Sequence, residues 1–197
     1  MIEFRYTGDA LYARMERAVE RVTQRLRKTV ETLESAGVRY AVVGGHAVRA
    51  WVAQVDEAAV RNTRDVDILV RPEDLPAVIE AMAGAGFHHR KTSGVDMFVE
   101  DLDGSARDAV HVVLANEMVR LNDVEPNPDV DPLEVADGFK TIPLAALVRM
   151  KLNSNRRKDQ VHVLDMISLG MVDQSWPATL PPELGKRLQA LLDDPDG

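Results

Sequence analysis

The stretch that most constrains the fold is residues 61–70, where two aspartates run into an apolar segment. Ile68-Leu69-Val70 is typical of a buried strand. Residues two apart in a strand share a face, so Asp65 and Asp67 are predicted to project side by side, about 6.5 Å apart at the backbone. Two such carboxylates repel, and Mg²⁺ is a cation that prefers carboxylate oxygen. The alternative is a strand that begins with two solvated acids.

The composition is that of a globular protein and excludes several kinds of site. The chain has 197 residues, of which 45% are hydrophobic and 28% charged, and it contains no cysteine. Disulfides, thiolate metal ligands and cysteine nucleophiles are therefore excluded. No apolar run approaches the roughly 18 residues of a membrane span, and residues 1–6 do not resemble a signal peptide. We expect a soluble cytoplasmic protein with no membrane partner.

The charge is unevenly distributed along the chain. A net charge of −8 argues against general nucleic-acid binding, which depends on neutralising phosphates. Residues 149–158 nevertheless contain no acid and five cations, namely Arg149, Lys151, Arg156, Arg157 and Lys158. This island predicts a local site for a polyanion such as a triphosphate or an RNA end. The alternative is a set of cations that complements a helix dipole.

The order of the predicted elements indicates an α/β (α+β) fold with a mixed sheet flanked by helices. Helices are predicted over residues 9–36, 46–55, 72–84, 143–155, 158–169 and 181–192. Strands are predicted over residues 40–43, 64–70, 87–91, 95–100, 108–114 and 139–142. Residues 121–132 contain several prolines and acids and are predicted to form an exposed loop.

Gly44 and Gly45 lie where the first predicted strand turns into a helix. Glycine allows a ligand to approach the backbone, and the free amides of a helix start favour phosphate. The turn is therefore a candidate phosphate site, although two adjacent glycines also occur in plain tight turns.

Lys151 falls in the middle of the apolar stripe that Leu144, Leu147 and Val148 define on their helix. A lysine on a buried face is uncommon and normally has a partner. The functional interpretation is an ammonium directed at a triphosphate. The alternative is a stem that packs while the ammonium reaches solvent.

His111 is a lone polar residue in an apolar strand. Such a histidine is either a satisfied core residue or a metal ligand or proton acceptor.

Taken together, Gly44-Gly45 after a strand, a helix, and then Thr63-Arg64-Asp65-Val66-Asp67-Ile68-Leu69-Val70 resemble the nucleotidyltransferase superfamily of the DNA polymerase β type. The chain is more closely similar to minimal bacterial nucleotidyltransferases grouped with the AbiEii toxins. The resemblance covers about residues 38–171. It implies a nucleotidyltransferase core at 38–142, an N-terminal helical extension at 1–37 packed on it, and C-terminal helices at 143–197.

The resemblance also implies a chemistry. Asp65 and Asp67 would hold two Mg²⁺ ions, Gly44 and Gly45 would contact the nucleotide, and Lys151 would carry phosphate charge. Thr63, Arg64 and Arg157 are further candidates for nucleotide binding. The NTP would donate a nucleotide to a hydroxyl of tRNA or a protein, and an antitoxin is an implied partner.

Two features depart from the superfamily pattern. The interval from Gly45 to Asp65 is longer than in compact members, and His111 occupies the position expected for a third carboxylate, because Asp108 would face the other way. One alternative is thus a weak or inactive nucleotide-binding regulatory relative. Another is a metal-dependent hydrolase using His46, His111 and His162, although their spacing matches no known ligand motif.

Overall fold

The computed structural model describes residues 6–195, which form a seven-stranded mixed sheet flanked by helices. The α-helices are α1 (Asp9–Ser35), α2 (Gly44–Ala53), α3 (Leu75–Gly84), α4 (Leu144–Ser154), α5 (Arg157–Ser168) and α6 (Pro182–Asp193). The strands are β1 (Ala41–Val43), β2 (Val66–Val70), β3 (His88–Thr92), β4 (Val95–Val99), β5 (Val110–Leu114), β6 (Glu134–Ala136) and β7 (Phe139–Thr141). The predicted fold class, with its long N-terminal helix and C-terminal helical segment, is confirmed. Residues 1–5, most of the stretch compared with a signal peptide, and residues 196–197 lie outside the described residues.

The strand order places β2 in the middle of the sheet. The order is β3-β4-β5-β2-β1-β7-β6, with β2 parallel to β5, β1 parallel to β7, and the other neighbours antiparallel. A central strand is covered on both faces, which explains why Ile68, Leu69 and Val70 are fully buried.

Alternation along β2 divides its side chains between two cores. Val66, Ile68 and Val70 pack in one core with residues of α1 and α3. Leu69 packs in the other core with residues of α2, α4, α5 and α6. Asp67 is two residues from Leu69 and so lies on this second face. The sheet therefore presents Asp67 on the side occupied by α2 and the C-terminal helices.

The predicted loop was correct but incomplete, and one short strand was not predicted. Residues 121–132 are not simply exposed, because Asn127 and Val130 are buried and the Asn127 amide donates to the Leu114 carbonyl at 3.0 Å. Proline and acid content indicates a loop but not whether one asparagine anchors it. The short strand β6 was also missed, since it has only three residues and pairs with β7 alone.

None of the helices within residues 6–195 combines the length and apolar character that crossing a membrane requires.

Candidate active site

Pairing between β2 and β5 brings Asp67 and His111 side by side. The two residues are partners in the parallel register, and Nδ1 of His111 lies 3.6 Å from Oδ1 of Asp67. Asp65 lies immediately before β2 rather than inside it, yet one ligand atom of each of the three residues lies within 4.8 Å of the others. Among residues 6–195 this is the one such cluster of histidine and acidic side chains. The structure thus brings together the two predicted aspartates and the predicted histidine.

The Gly44-Gly45 turn packs directly against this cluster. A Cβ atom at position 44 would overlap the carboxylate of Asp67, and Gly44 has a φ of 68°. A Cβ atom at position 45 would lie 2.6 Å from Oγ1 of Thr63. Only residues without side chains fit at both positions, so the turn and the acids form one closely packed unit.

Asp65 is held by two neighbours. The Thr63 hydroxyl donates to Oδ1 of Asp65 at 2.9 Å, and Nζ of Lys158 lies 3.7 Å from Oδ2. Burial alone would raise the pKa of Asp65, but the Lys158 ammonium and the Thr63 hydroxyl outweigh it and lower that pKa below its ordinary value. The site therefore keeps Asp65 ionised, the form that binds cations.

His111 takes the place where a third acid was expected. The nearby carboxylate of Asp67 raises the pKa of the His111 ring above its ordinary value, against the effect of burial, and the backbone of Ala106 adds to the rise. Asp108 lies in a short turn of residues 106–108 just before β5 and is exposed. The three-residue cluster consequently contains two acids and one imidazole.

Lys151 is on the buried face of α4, as the helical pattern indicated, and its ammonium has a partner. Nζ of Lys151 donates to Oδ1 of Asp159 at 3.0 Å, and Nε of Arg156 donates to Oδ2 at 2.6 Å. Asp159 is fully buried. Burial opposes ionisation of Asp159, but Arg156 and Lys151 together hold its pKa well below the usual range. Lys151 is therefore part of a buried ion-paired group at the start of α5.

The remaining predicted cations lie on the surface. Arg64 is exposed just before Asp65, and Arg157 is exposed at the first turn of α5. Lys158, the cation that contacts Asp65, was seen in the sequence only as part of the basic island. Its partner could not be read from spacing, because the contact joins residues far apart in the chain.

His46, considered in the sequence only for the alternative of a metal-dependent hydrolase, lies close enough to Asp65 and Asp67 for their charges to act on it. It is 2% exposed, in the first turn of α2, and its Nε2 has no hydrogen-bond partner among the described residues. Burial and the charge of Arg49 lower the pKa of His46 to about 4, although Asp67 and Asp65 act in the opposite direction. His46 is therefore neutral near pH 7.

The donor set of the cluster fits a divalent cation. Two carboxylates and one imidazole nitrogen approach each other with the spacing of ligands around a single ion. The three side chains are 21–27% exposed, so the cluster is open to an ion from solvent.

Comparison with known protein families gives a match to a nucleotidyltransferase family. A family model described as an uncharacterised nucleotidyltransferase matches residues 9–138, a range that includes the glycine turn, both aspartates and His111. A search of curated protein sequences gives no significant match.

Several solved structures share this fold at low sequence identity. The solution structure of the antibiotic-resistance factor ANT(2'')-Ia aligns with a TM-score of 0.53 at 13% identity, covering 90% of this chain and 93% of that chain. A crystal structure of an antigenic nucleotidyltransferase-like protein from Paracoccidioides brasiliensis gives 0.52 at 17%, covering 89% and 88%. A crystal structure of ANT(2'')-Ia in complex with adenylyl-2''-tobramycin gives 0.52 at 11%, covering 89% and 98%. At identities this low, the similarities show that these proteins share the fold.

Proposed function

This chain belongs to the family of uncharacterised nucleotidyltransferases whose model spans residues 9–138, and from that premise we propose that it moves a nucleoside monophosphate from an NTP to a hydroxyl acceptor. The observation that carries the proposal is the convergence of Asp65, Asp67 and His111 against the Gly44-Gly45 turn. The superfamily resemblance read from the sequence is confirmed by the family match. The narrower AbiEii-like grouping stays a prediction.

In the proposed reaction the Asp65 and Asp67 carboxylates would hold the divalent cations, with Mg²⁺ as the predicted ion. Such cations stabilise the charge that develops on the attacking and leaving oxygens. The backbone amides at the start of α2, beside Gly44 and Gly45, donate hydrogen bonds to the phosphate oxygens. The proposed catalytic core spans residues 38–142, with an N-terminal extension at 1–37 whose helix α1 packs on it, and a C-terminal part at 143–197 that supplies the cations of α4 and α5.

Cations around the acids balance the charge of the triphosphate. Lys158 is the nearest, since its ammonium contacts Asp65, and Arg64 and Arg157 extend the positive rim into solvent. Lys151 contributes through its pairing with Asp159, which also binds Arg156. In this arrangement Lys151 positions the basic group instead of contacting phosphate as a free ammonium.

The chemical step is an in-line displacement at the α-phosphorus. A bond forms between the acceptor oxygen and the α-phosphorus, the bond from that phosphorus to the pyrophosphate oxygen breaks, and the hydroxyl proton is released to solvent. The protein contributes orientation and charge stabilisation, which together supply most of the catalysis in phosphate-transfer enzymes.

The proposal is tested with NTPs labelled at the α-phosphate and a panel of acceptors, in parallel reactions with Mg²⁺ and with Mn²⁺. We expect covalent label on one acceptor with wild type, loss of label with Asp65→Asn and Asp67→Asn, and normal label with Asp9→Asn, an exposed acid on α1. Binding of NTP without label transfer to any acceptor would contradict the proposal.

The acceptor panel follows from two sources. The resemblance to AbiEii-like enzymes favours tRNA or a protein hydroxyl, with a toxin role opposed by an antitoxin. One structural neighbour is solved with adenylyl-2''-tobramycin, so an aminoglycoside is the third acceptor to include. Growth arrest on expression of wild type but not of Asp67→Asn is the expected outcome for a toxin.

A second candidate function is a nucleotide-binding regulatory protein with little or no catalysis. The observation that favours it is His111 in place of the expected third carboxylate. It predicts NTP binding by wild type without transfer, and transfer gained by His111→Asp. Equal transfer by wild type and His111→Asp would exclude it.

A further inference from the structure

We propose that His111 is a direct metal ligand and that it makes the site select a first-row transition-metal dication such as Mn²⁺ over Mg²⁺. The inference deepens the proposed function, on which it rests, by naming the class of cation that the same site takes. It depends on the distances within the cluster and on the chemistry of an imidazole beside two carboxylates.

The distances suit ligands that share one ion. Adjacent ligands on an octahedral ion with bonds of about 2.1 Å lie about 3.0 Å apart, and opposite ligands about 4.2 Å apart. Nδ1 of His111 lies 3.6 Å from Oδ1 of Asp67, and the three donor atoms with Asp65 lie within 4.8 Å of one another. Small side-chain rotations would therefore bring all three onto a single ion without moving the strands.

The ring of His111 already points its Nδ1 toward Asp67, and strand pairing holds its backbone in place. Register pairing fixes its backbone between Asp67 on β2 and Met97 on β4. The backbone of Ala106 lies beside the same ring. A metal-bound histidine commonly uses a backbone partner of this kind to fix its orientation.

An imidazole nitrogen among the ligands changes the relative affinities of the site for different cations. Mg²⁺ favours oxygen ligands and gives up its water reluctantly, whereas first-row transition metals accept nitrogen readily. Three carboxylates would suit Mg²⁺, but two carboxylates and His111 form a mixed oxygen and nitrogen set. The substitution of imidazole for the expected acid thus shifts preference toward Mn²⁺ and its neighbours in the series.

The decisive experiment measures metal binding to the whole chain without nucleotide. Titration with Mn²⁺, followed by the EPR signal of the free aqueous ion, gives its Kd, and competition gives the Kd for Mg²⁺. Pulsed EPR of bound Mn²⁺ reports coupling to a directly ligated imidazole nitrogen. The variants are His111→Asp and His111→Ala, with His88→Gln, an exposed histidine on β3, as the matched control.

We expect nitrogen coupling in wild type and in His88→Gln, and none in the two His111 variants. We also expect His111→Asp to reduce the preference for Mn²⁺ over Mg²⁺ by about tenfold, the lower end of the effect on metal affinity that substitutions of even the outer-shell partners of metal ligands have. Circular dichroism checks that each variant is folded. Absence of nitrogen coupling in wild type, or an unchanged ratio of the two Kd values in folded His111→Asp, overturns the inference.

Failure of the inference and failure of the proposed function give different results. Nitrogen coupling without nucleotide transfer to any acceptor supports the metal assignment and contradicts the function. Transfer that depends on Asp65 and Asp67 without nitrogen coupling supports the function and overturns the metal assignment.

Discussion

Gly44 leaves the space that the carboxylate of Asp67 occupies, so the turn and the acid cannot both keep their positions if residue 44 carries a side chain. Glycine is needed at position 44 for two reasons: the close contact with Asp67 and the φ of 68°. Its most direct function is to allow the acid to sit against the start of α2.

Comparing Gly44→Ala with Gly86→Ala separates the effect of the Asp67 contact from the effect of the positive φ. We expect nucleotidyl transfer to fall at least about a hundredfold, since a displacement of about 1 Å in a catalytic group has that effect. Gly86→Ala is the matched control, because Gly86 has a φ of 84° and nothing lies within 4 Å of its missing Cβ. Both variants should lose about 1–2 kcal/mol of stability from backbone strain, measured by urea unfolding. Equal activity in the two variants would show that the contact with Asp67 is unimportant.

Lys158→Met should lower the affinity of the site for cations, because Lys158 helps to keep Asp65 ionised. The Lys158 ammonium lowers the pKa of Asp65, so its removal should raise that pKa, which NMR titration of ¹³C-labelled aspartate measures directly. We expect cation affinity to fall with it. Lys186→Met, an exposed lysine on α6, is the control that should change neither quantity. An unaltered Asp65 titration would mean that the 3.7 Å contact is not formed in solution.

Asp159→Asn should destabilise the fold. Asp159 is fully buried between Lys151 and Arg156, and removing one member of a buried ion pair costs about 3–5 kcal/mol. Because the pKa of Asp159 is depressed in the folded state, its stabilising contribution is complete above a pH of about 4 and is lost as the pH falls further. Chemical denaturation at pH 7 measures the loss, with Asp194→Asn as the exposed control. A change below 1 kcal/mol would argue against an ionised Asp159.

Because His46 is buried in its neutral form, we expect the protein to lose stability in mild acid. Its pKa is lowered to about 4 in the folded state, mainly by burial, from an ordinary value of 6.5. Between these values the unfolded chain binds a proton that the folded chain does not, so the free energy of unfolding falls as the pH drops through this window. The loss from this residue is at most about 3 kcal/mol.

His46→Gln tests this contribution, since glutamine does not titrate. We expect a flatter dependence of unfolding free energy on pH between about 4 and 6.5 than in wild type. His162, whose pKa is also lowered to about 4 by burial, retains part of the slope. His88→Gln should leave the wild-type slope intact, and an equally steep slope in His46→Gln would contradict the assignment.

Sequence reasoning succeeded where the information is local. The glycine turn and the two aspartates are each a few adjacent residues with an apolar strand beside them, and periodicity alone placed Lys151 on the buried face of its helix. Periodicity could not supply the partner of Lys151, because Asp159 belongs to the next helix and the angle between α4 and α5 decides which side chains meet. The contact of Lys158 with Asp65 was hidden for the same reason.

The register of β2 and β5 has a consequence for how this enzyme can change. His111 is fixed opposite Asp67 by backbone pairing, which is indifferent to the side chain at position 111. A slip by one residue would turn that side chain to the other face, so pairing holds the position while leaving its chemistry free. Position 111 can therefore carry an acid, an imidazole or an inert residue on the same frame. If His111 is the proposed metal ligand, one substitution at this position would be enough to change the metal preference of the site without altering the strand pairing.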